Sequence, residues 1–132
     1  MIFVDSSFWI ALTMPRDSRH ADAIALLKLN HGAPFLTTNH VRGEAWTLLR
    51  RRAGHRVAVG FLDRLARTER LLVKRPAAEL ESEALAWLRR HDEREYSFVD
   101  ATSFALMRSL RIREALAFDG DFTAAGFVEL RA

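Results

Sequence analysis

Short apolar runs alternate along this chain with longer segments of helical periodicity. The runs cover residues 2–4, 34–36, 71–73, 116–118 and 127–130, and each is short enough to be a buried strand. Between them, apolar residues recur three or four positions apart in residues 21–29, 41–52, 57–67, 78–90 and 101–110. Strands that are apolar throughout are typical of a sheet that is buried on both faces. The pattern therefore predicts the α/β class, with helices packed around a mainly parallel sheet.

Length and composition limit how this pattern is organised. The chain has 132 residues, 49% of them apolar, which is enough for the core of one domain over residues 1–132. It contains no cysteine, so disulfides and thiolate metal ligands are excluded. The sequence has neither the pattern of a signal peptide nor a run near the roughly 18 apolar residues of a membrane span. We therefore expect a cytoplasmic protein with no membrane partner.

Basic residues are concentrated in the middle of the chain. The formal net charge is +3, but residues 1–41 carry a net charge of 0, residues 42–75 of +7 and residues 76–132 of −4. Lysine and arginine supply affinity for phosphates, so a nucleic-acid partner is one interpretation of the basic segment. A solvated helix surface is the other.

Four acidic residues lie beside or within apolar segments, where a carboxylate is costly to bury. Asp5 and Asp119 directly follow predicted strands, and the carboxyl ends of parallel strands meet at the edge where α/β sheets bind ligands. Glu44 borders the apolar stripe of a predicted helix, and Asp100 precedes a helix that is apolar on nearly every face. The fold can therefore bring all four together.

Each of these acids also has an ordinary explanation. Asp5 and Asp100 would serve as caps for the helices that follow them, and Asp119 with Gly120 is a common turn pair. Glu44 would pair with an arginine of residues 50–52, although the spacing is unfavourable for a direct helical pair. Capping and metal binding are compatible, because a capping carboxylate has a second oxygen.

If the four carboxylates converge, their mutual repulsion calls for a cation. Hard oxygen ligands favour Mg²⁺ or Mn²⁺ over Zn²⁺, and one or two such ions would activate a water molecule for phosphodiester hydrolysis. Other chemistries lack support. The five histidines include no pair spaced four apart, and the motifs of serine hydrolases, P-loop proteins and dinucleotide-binding proteins are absent.

Four motifs occur in order along nearly the whole chain. They are Met1-Ile-Phe-Val-Asp5-Ser-Ser7, Leu36-Thr-Thr-Asn-His-Val-Arg-Gly-Glu44, Ser97-Phe-Val-Asp100-Ala-Thr-Ser103 and Leu116-Ala-Phe-Asp119-Gly-Asp-Phe122. With these motifs the chain resembles the PIN-domain ribonucleases and, within them, the VapC-type toxins of bacterial toxin–antitoxin pairs.

The resemblance implies a three-layer α/β/α fold with a five-stranded, mainly parallel sheet. It implies an endoribonuclease that depends on Mg²⁺ or Mn²⁺, acts on RNA, is inhibited by a cognate VapB-like antitoxin and commonly forms homodimers. Catalysis and metal binding would be assigned to Asp5, Glu44, Asp100 and Asp119. Asp121 would be an accessory metal ligand, and Ser6 would orient ligands or simply start a helix. The alternative is a catalytically silent RNA- or protein-binding module.

Large apolar residues near the motifs raise two further hypotheses. Phe8, Trp9, Leu12 and Trp46 are candidates for the walls of an antitoxin groove, although core positions explain them equally well. Trp9, Trp46 and Trp87 are possible platforms for unpaired bases, but we expect them in the core or at an interface instead.

Overall fold

The computed structural model describes the whole chain, Met1–Ala132. The strands are β1 (Ile2–Val4), β2 (Phe35–Thr38), β3 (Leu71–Lys74), β4 (Glu114–Leu116) and β5 (Val128–Glu129). The helices are α1 (Ser6–Thr13), α2 (His20–Leu29), α3 (Asn39–Ala53), α4 (His55–Arg67), α5 (Ala78–Arg90), α6 (Phe98–Leu110) and α7 (Asp121–Ala124). No helix combines the length and the apolar character that crossing a bilayer requires.

The five strands form one sheet in the order β3-β2-β1-β4-β5, and every neighbouring pair is parallel. This confirms the predicted sheet. β1 is the central strand, where Phe3 lies opposite Leu36 of β2 on one side and Ala115 of β4 on the other. The chain fills one half of the sheet with β2 and β3 and returns to fill the other half with β4 and β5. The carboxyl end of β1 is therefore at the switch point of the sheet, where open α/β sheets form a crevice.

Helices cover the sheet in the predicted three-layer α/β/α arrangement. α1 packs against α2 and α3, α3 packs against α4, and α5 packs against α6. The core contains fully buried aromatic rings, among which Phe104 of α6 lies edge-on to Phe122 with ring centroids 4.9 Å apart. Trp9 and Trp87 are buried, as expected, with 2% and 8% of their surface exposed. These rings make α6 a central helix. Its packing fixes the position of Asp100, the acidic residue in its first turn.

The helical periodicity missed two helices, α1 and α7, although a helix after Asp5 was expected from its capping role, and several boundaries differ. Six of the eight residues of α1 are buried, so its sequence has no polar face from which a helical period could be recognised. α7 has only four residues. β4 was predicted at residues 116–118 but ends at Leu116, because the backbone N–H of Phe118 donates to the hydroxyl of Ser7 at 3.0 Å instead of extending the strand. Asp119 consequently lies three residues beyond the strand.

Candidate metal centre

Asp5 lies at the carboxyl end of the central strand and is 1% exposed. It is the N-cap of α1, as its ordinary explanation predicted, because its Oδ2 accepts hydrogen bonds from the backbone N–H and the hydroxyl of Ser7 at 3.2 and 2.8 Å. Its other oxygen, Oδ1, is buried and has no hydrogen-bond partner. Capping therefore accounts for Oδ2 of Asp5 but not for Oδ1, which lacks the hydrogen-bond partner that a buried acceptor requires.

Asp100 has a different local role from the predicted one. We expected it to cap the following helix, but α6 begins at Phe98 and its N-cap is Ser97. Asp100 is the third residue of a capping box, in which its backbone N–H donates to Ser97 Oγ at 2.9 Å and its Oδ2 accepts from the Ser97 N–H at 3.0 Å. The capping box holds Oδ2 and leaves Oδ1 available to the site.

Asp119 lies on the loop between β4 and α7, and Asp121 is the first residue of α7. One carboxylate oxygen from each of Asp100, Asp119 and Asp121 lies within 4.8 Å of the other two. The predicted turn is also present, because Asp119 Oδ1 accepts from the backbone N–H of Asp121 at 3.1 Å. Arg94 donates from Nε to Asp121 Oδ1 at 2.8 Å and from Nη2 to the carbonyl of Asp119 at 3.2 Å. Asp121 thus belongs to the cluster and is also ion-paired.

Glu44 is positioned by Ser6 from a distant part of the chain. The hydroxyl of Ser6, the first residue of α1, donates to Glu44 Oε1 at 2.5 Å. Glu44 forms no ion pair with residues 50–52, so its ordinary explanation is not supported. Because α1 begins directly after β1, this hydrogen bond ties Glu44 of α3 to the carboxyl end of the central strand.

A cleft of about 530 Å³ opens where these residues meet. Its acidic lining includes Glu44, Asp100 and Asp119, while Arg19 and Arg52 supply positive charge. Asp5 is buried beneath the cleft and Asp121 lies at its margin, so neither is part of the lining. The structure therefore brings the five predicted acids into one region. Three of them line the cleft, Asp5 lies below it and Asp121 lies beside it.

The predicted apolar walls of the groove were largely wrong. Phe8, Trp9 and Leu12 are core residues that are at most 2% exposed, so they cannot form a wall. The apolar lining is instead Ile10, Leu48 and Phe118. The periodicity of apolar residues did not reveal α1, and it therefore did not indicate that Ile10 faces the cleft.

Burial and like charge both disfavour ionisation in the cluster. Burial is the main cause of the raised pKa of Asp5, and the charge of Asp119 adds to it. Burial also raises the pKa of Asp100 to about 6, with Asp119 and Asp121 contributing in the same direction. The pKa of Asp119 is raised by burial and then by Asp121. Without a cation, these carboxyls are held in an environment that favours protons.

The residues of the cluster fit a hard divalent cation. The available donors are carboxylate oxygens, which are the ligands that Mg²⁺ and Mn²⁺ prefer. The unpartnered Oδ1 of Asp5 is a buried acceptor without a donor, and a cation would satisfy it. Asp100, Asp119 and Asp121 are close enough together to hold such an ion. Asp5, buried beneath the cleft, and Glu44, in its lining, would offer further carboxylate oxygens.

The raised pKa values predict that added Mn²⁺ increases the melting temperature more at about pH 7.5 than at about pH 5. Protons and the ion compete for the same oxygens, and below the pKa of about 6 Asp100 is mostly protonated. A carboxyl with a raised pKa binds its proton more tightly in the folded protein than in the unfolded chain. This stabilises the folded protein fully at pH values below the ordinary carboxyl pKa, and the stabilisation is lost as the pH rises through the pKa of the folded state. Metal-free protein should therefore lose stability from these groups over that interval, while Mn²⁺ restores it.

Differential scanning fluorimetry across this pH range, with and without Mn²⁺, measures the effect. The double variant Asp5→Asn, Asp100→Asn serves as the control, because it removes two of the carboxyls and should flatten the pH dependence of the Mn²⁺ response. An equal response at both pH values in the unmodified protein would contradict the expectation.

Two residues that support the site were missed by the sequence reasoning. Ser7 donates to Asp5 and accepts from the N–H of Phe118, which joins β1 to the loop that carries Asp119. Arg94 holds the same loop from the segment before α6. Ser7 occurs within the first motif, which was a usable signal, whereas nothing near Arg94 in the sequence indicates its partner.

Comparisons with known proteins agree with the fold and the motifs. The family model described as the PIN domain matches residues 2–128. The chain is 57% identical over 132 residues to the "23S rRNA-specific endonuclease VapC20" of Mycobacterium tuberculosis, in strains CDC 1551 / Oshkosh and ATCC 25618 / H37Rv. The alignment covers 99% of this chain and 98% of each relative.

A solved structure is also similar over its full length. The crystal structure of Mycobacterium tuberculosis VapC20, described as a sarcin–ricin loop cleaving toxin, superposes with a TM-score of 0.92 at 53% identity. The superposition covers 100% of both chains. The chain therefore belongs to the PIN domain family and, within it, to the VapC-type toxins.

Proposed function

We propose that this protein is a metal-dependent endoribonuclease that acts as the toxin of a toxin–antitoxin pair, with residues 1–132 working as one PIN domain. The observation that carries the proposal is the unpartnered Oδ1 of Asp5, buried beneath a cleft lined by Glu44, Asp100 and Asp119. A binding module would have no use for a buried, unsatisfied carboxylate among other carboxylates, since such an arrangement lowers stability. A hydrolase needs this charge to hold a cation.

Each acid has a distinct place in the proposed mechanism. Asp5, Asp100 and Asp119 hold one or two Mg²⁺ or Mn²⁺ ions, and Asp121 assists from the margin. When bound, such an ion would supply the Lewis acidity that activates a water molecule and offsets charge on the phosphate. Glu44 accepts a proton in the cleft, since Ser6 engages only its Oε1 and leaves Oε2 free. Ser7 and Ser97 keep Asp5 and Asp100 in place through the hydrogen bonds described above.

Basic residues around the acids bind the RNA backbone. Arg19 and Arg52 line the cleft together with the acids, so a phosphate bound there would lie in a cleft that also holds two guanidinium groups. α3 ends with Arg50, Arg51 and Arg52, which belong to the basic segment of the chain. Guanidinium groups suit phosphate recognition because they donate several hydrogen bonds in a fixed plane.

The relatives suggest the substrate and the partner. They are described as specific for 23S rRNA and as cleaving the sarcin–ricin loop, and we propose the same target for this chain. Its identity to them over nearly the full length of both chains supports this transfer. Because ribosomal RNA would be met in the cytoplasm, we propose a cytoplasmic location. We further propose a VapB-like antitoxin that covers the cleft, and a homodimeric toxin.

Cleavage should depend completely on a divalent ion. Purified protein incubated with 23S rRNA and Mn²⁺ or Mg²⁺ is expected to give discrete products, and EDTA should reduce cleavage to background because the proposed mechanism needs the ion to activate the water and to offset the phosphate charge. Adding back excess Mn²⁺ should restore it. Primer extension maps the cut site. Cleavage that persists in EDTA, or the absence of cleavage with either ion, would contradict the proposed function.

A further inference from the structure

A second cleft, of about 480 Å³, lies directly beside the first. It runs along one face of α3 to the beginning of α6, and its lining includes Asn39, His40, Gly43, Thr47, Arg51 and Val99. It also shares Glu44 and Leu48 with the acidic cleft. A ligand that is cleaved next to Glu44 would therefore extend into this second cleft.

Gly43 is an unexpected residue in this position. It lies within α3, where glycine is among the least favourable residues for helix stability. Packing does not explain it, because a Cβ atom at Gly43 would meet no atom within 4 Å, and its φ is not among the positive values. A side chain there would occupy only the open space of the second cleft. Glycine keeps that space free.

The walls of the second cleft have the chemistry of a nucleobase site. His40 lines the cleft with its ring, which lies edge-on to Phe98 outside the lining with ring centroids 5.6 Å apart, and its Nε2 lies 3.9 Å from Glu81 Oε1. Arg51 supplies a cation on the same face of α3. A flat ring and a guanidinium are among the groups that recognise unpaired bases and their phosphates.

We propose that the second cleft binds the unpaired base of a nucleotide adjacent to the scissile phosphate, and that Gly43 provides the room for that base. This inference rests on the proposed endoribonuclease function. It adds a specificity determinant, because the acidic cleft engages phosphate and ions, whereas the second cleft reads a base. A peptide segment of an inhibitor is the competing occupant, but the His40 ring, the Arg51 guanidinium and the wall shared with the acidic cleft favour RNA.

The substitution Gly43→Ala separates this role from a structural one. Alanine should raise the melting temperature by a few degrees, since it favours the helix, yet raise KM for a sarcin–ricin loop hairpin about tenfold. The matched control is Gly60→Ala in α4, where a Cβ would also meet no atom within 4 Å. It should give a similar gain in stability with unchanged KM. The affinity for Mn²⁺, measured by calorimetry, should be the same in all three proteins.

Modified RNA tests which group occupies the cleft. Hairpins carrying an abasic nucleotide on either side of the cleavage site should raise KM for the unmodified protein at one of the two positions. At that position Gly43→Ala should cause little further rise, because the base that it excludes is already missing. A full additional tenfold rise at both positions would overturn the proposal, since the alanine would then act without reference to the base.

Binding measurements keep this inference separable from the proposed function. If the unmodified protein does not cleave RNA, the proposed function fails, and fluorescence anisotropy with the same labelled hairpin still tests the second cleft. Affinity about tenfold weaker for Gly43→Ala than for Gly60→Ala supports a base-binding site. Equal affinities overturn it, and they would direct attention to a protein occupant of the cleft.

Discussion

Replacing Asp100 with asparagine is expected to reduce metal-dependent RNA cleavage on the order of 10³-fold while the protein stays folded. Asp100 lies within 4.8 Å, oxygen to oxygen, of Asp119 and Asp121, and it lines the acidic cleft. Asparagine removes the charge that holds the ion. It keeps a carbonyl oxygen that can accept the N–H of Ser97, now bonded at 3.0 Å, so the capping box of α6 is preserved.

Initial cleavage rates on the rRNA hairpin measure the loss of activity, and circular dichroism measures whether the variant stays folded. Asp63→Asn is a suitable control, because Asp63 is an exposed carboxylate on α4 and undergoes the same chemical change. It should cleave at the rate of the unmodified protein. Equal cleavage by Asp100→Asn and the unmodified protein would remove Asp100 from the active site and favour the silent binding module.

The pattern of apolar residues predicted most of the fold because the elements follow local rules. α5 spans Ala78–Arg90, as predicted, since its apolar residues recur at helical spacing between polar ones. α1 was missed because it is buried on nearly every side and so has no such contrast. Buried helices and short helices are the elements for which periodicity carries little information.

The site was predictable to the extent that strand ends and motifs indicate it. Asp5 follows the central strand directly, so its place at the edge of the sheet follows from the parallel topology. The supporting contacts do not follow, because Ser7 meets the N–H of Phe118 across 111 positions of sequence and Arg94 meets Asp121 across 27. Such contacts are set by the packing of whole elements. The packing of whole elements also decides that Asp5 lies below the cleft and Asp121 beside it.

Replacing Asp5 with asparagine is expected to stabilise the metal-free protein by about 1–3 kcal/mol at about pH 7.5. Asp5 is buried, its pKa is raised mainly by that burial, and its Oδ1 has no partner. Asparagine is an equally good N-cap and retains an oxygen for the hydrogen bonds from Ser7. Its amide nitrogen would take the place of Oδ1 and offer a donor to the neighbouring carboxylates. A carboxylate that served only as a cap would give no such gain.

The melting temperature of Asp5→Asn, followed with and without Mn²⁺, distinguishes a metal site from a cap. Without the ion the variant should melt several degrees above the unmodified protein, and the gap should narrow as the pH falls and Asp5 takes up its proton. With Mn²⁺ the order should reverse, because the ion stabilises only the protein that keeps the buried charge. A variant that is less stable than the unmodified protein under both conditions would mean that Asp5 serves the fold alone. A carboxylate that serves catalysis is expected to lower the stability of the metal-free protein and to raise it when the ion binds.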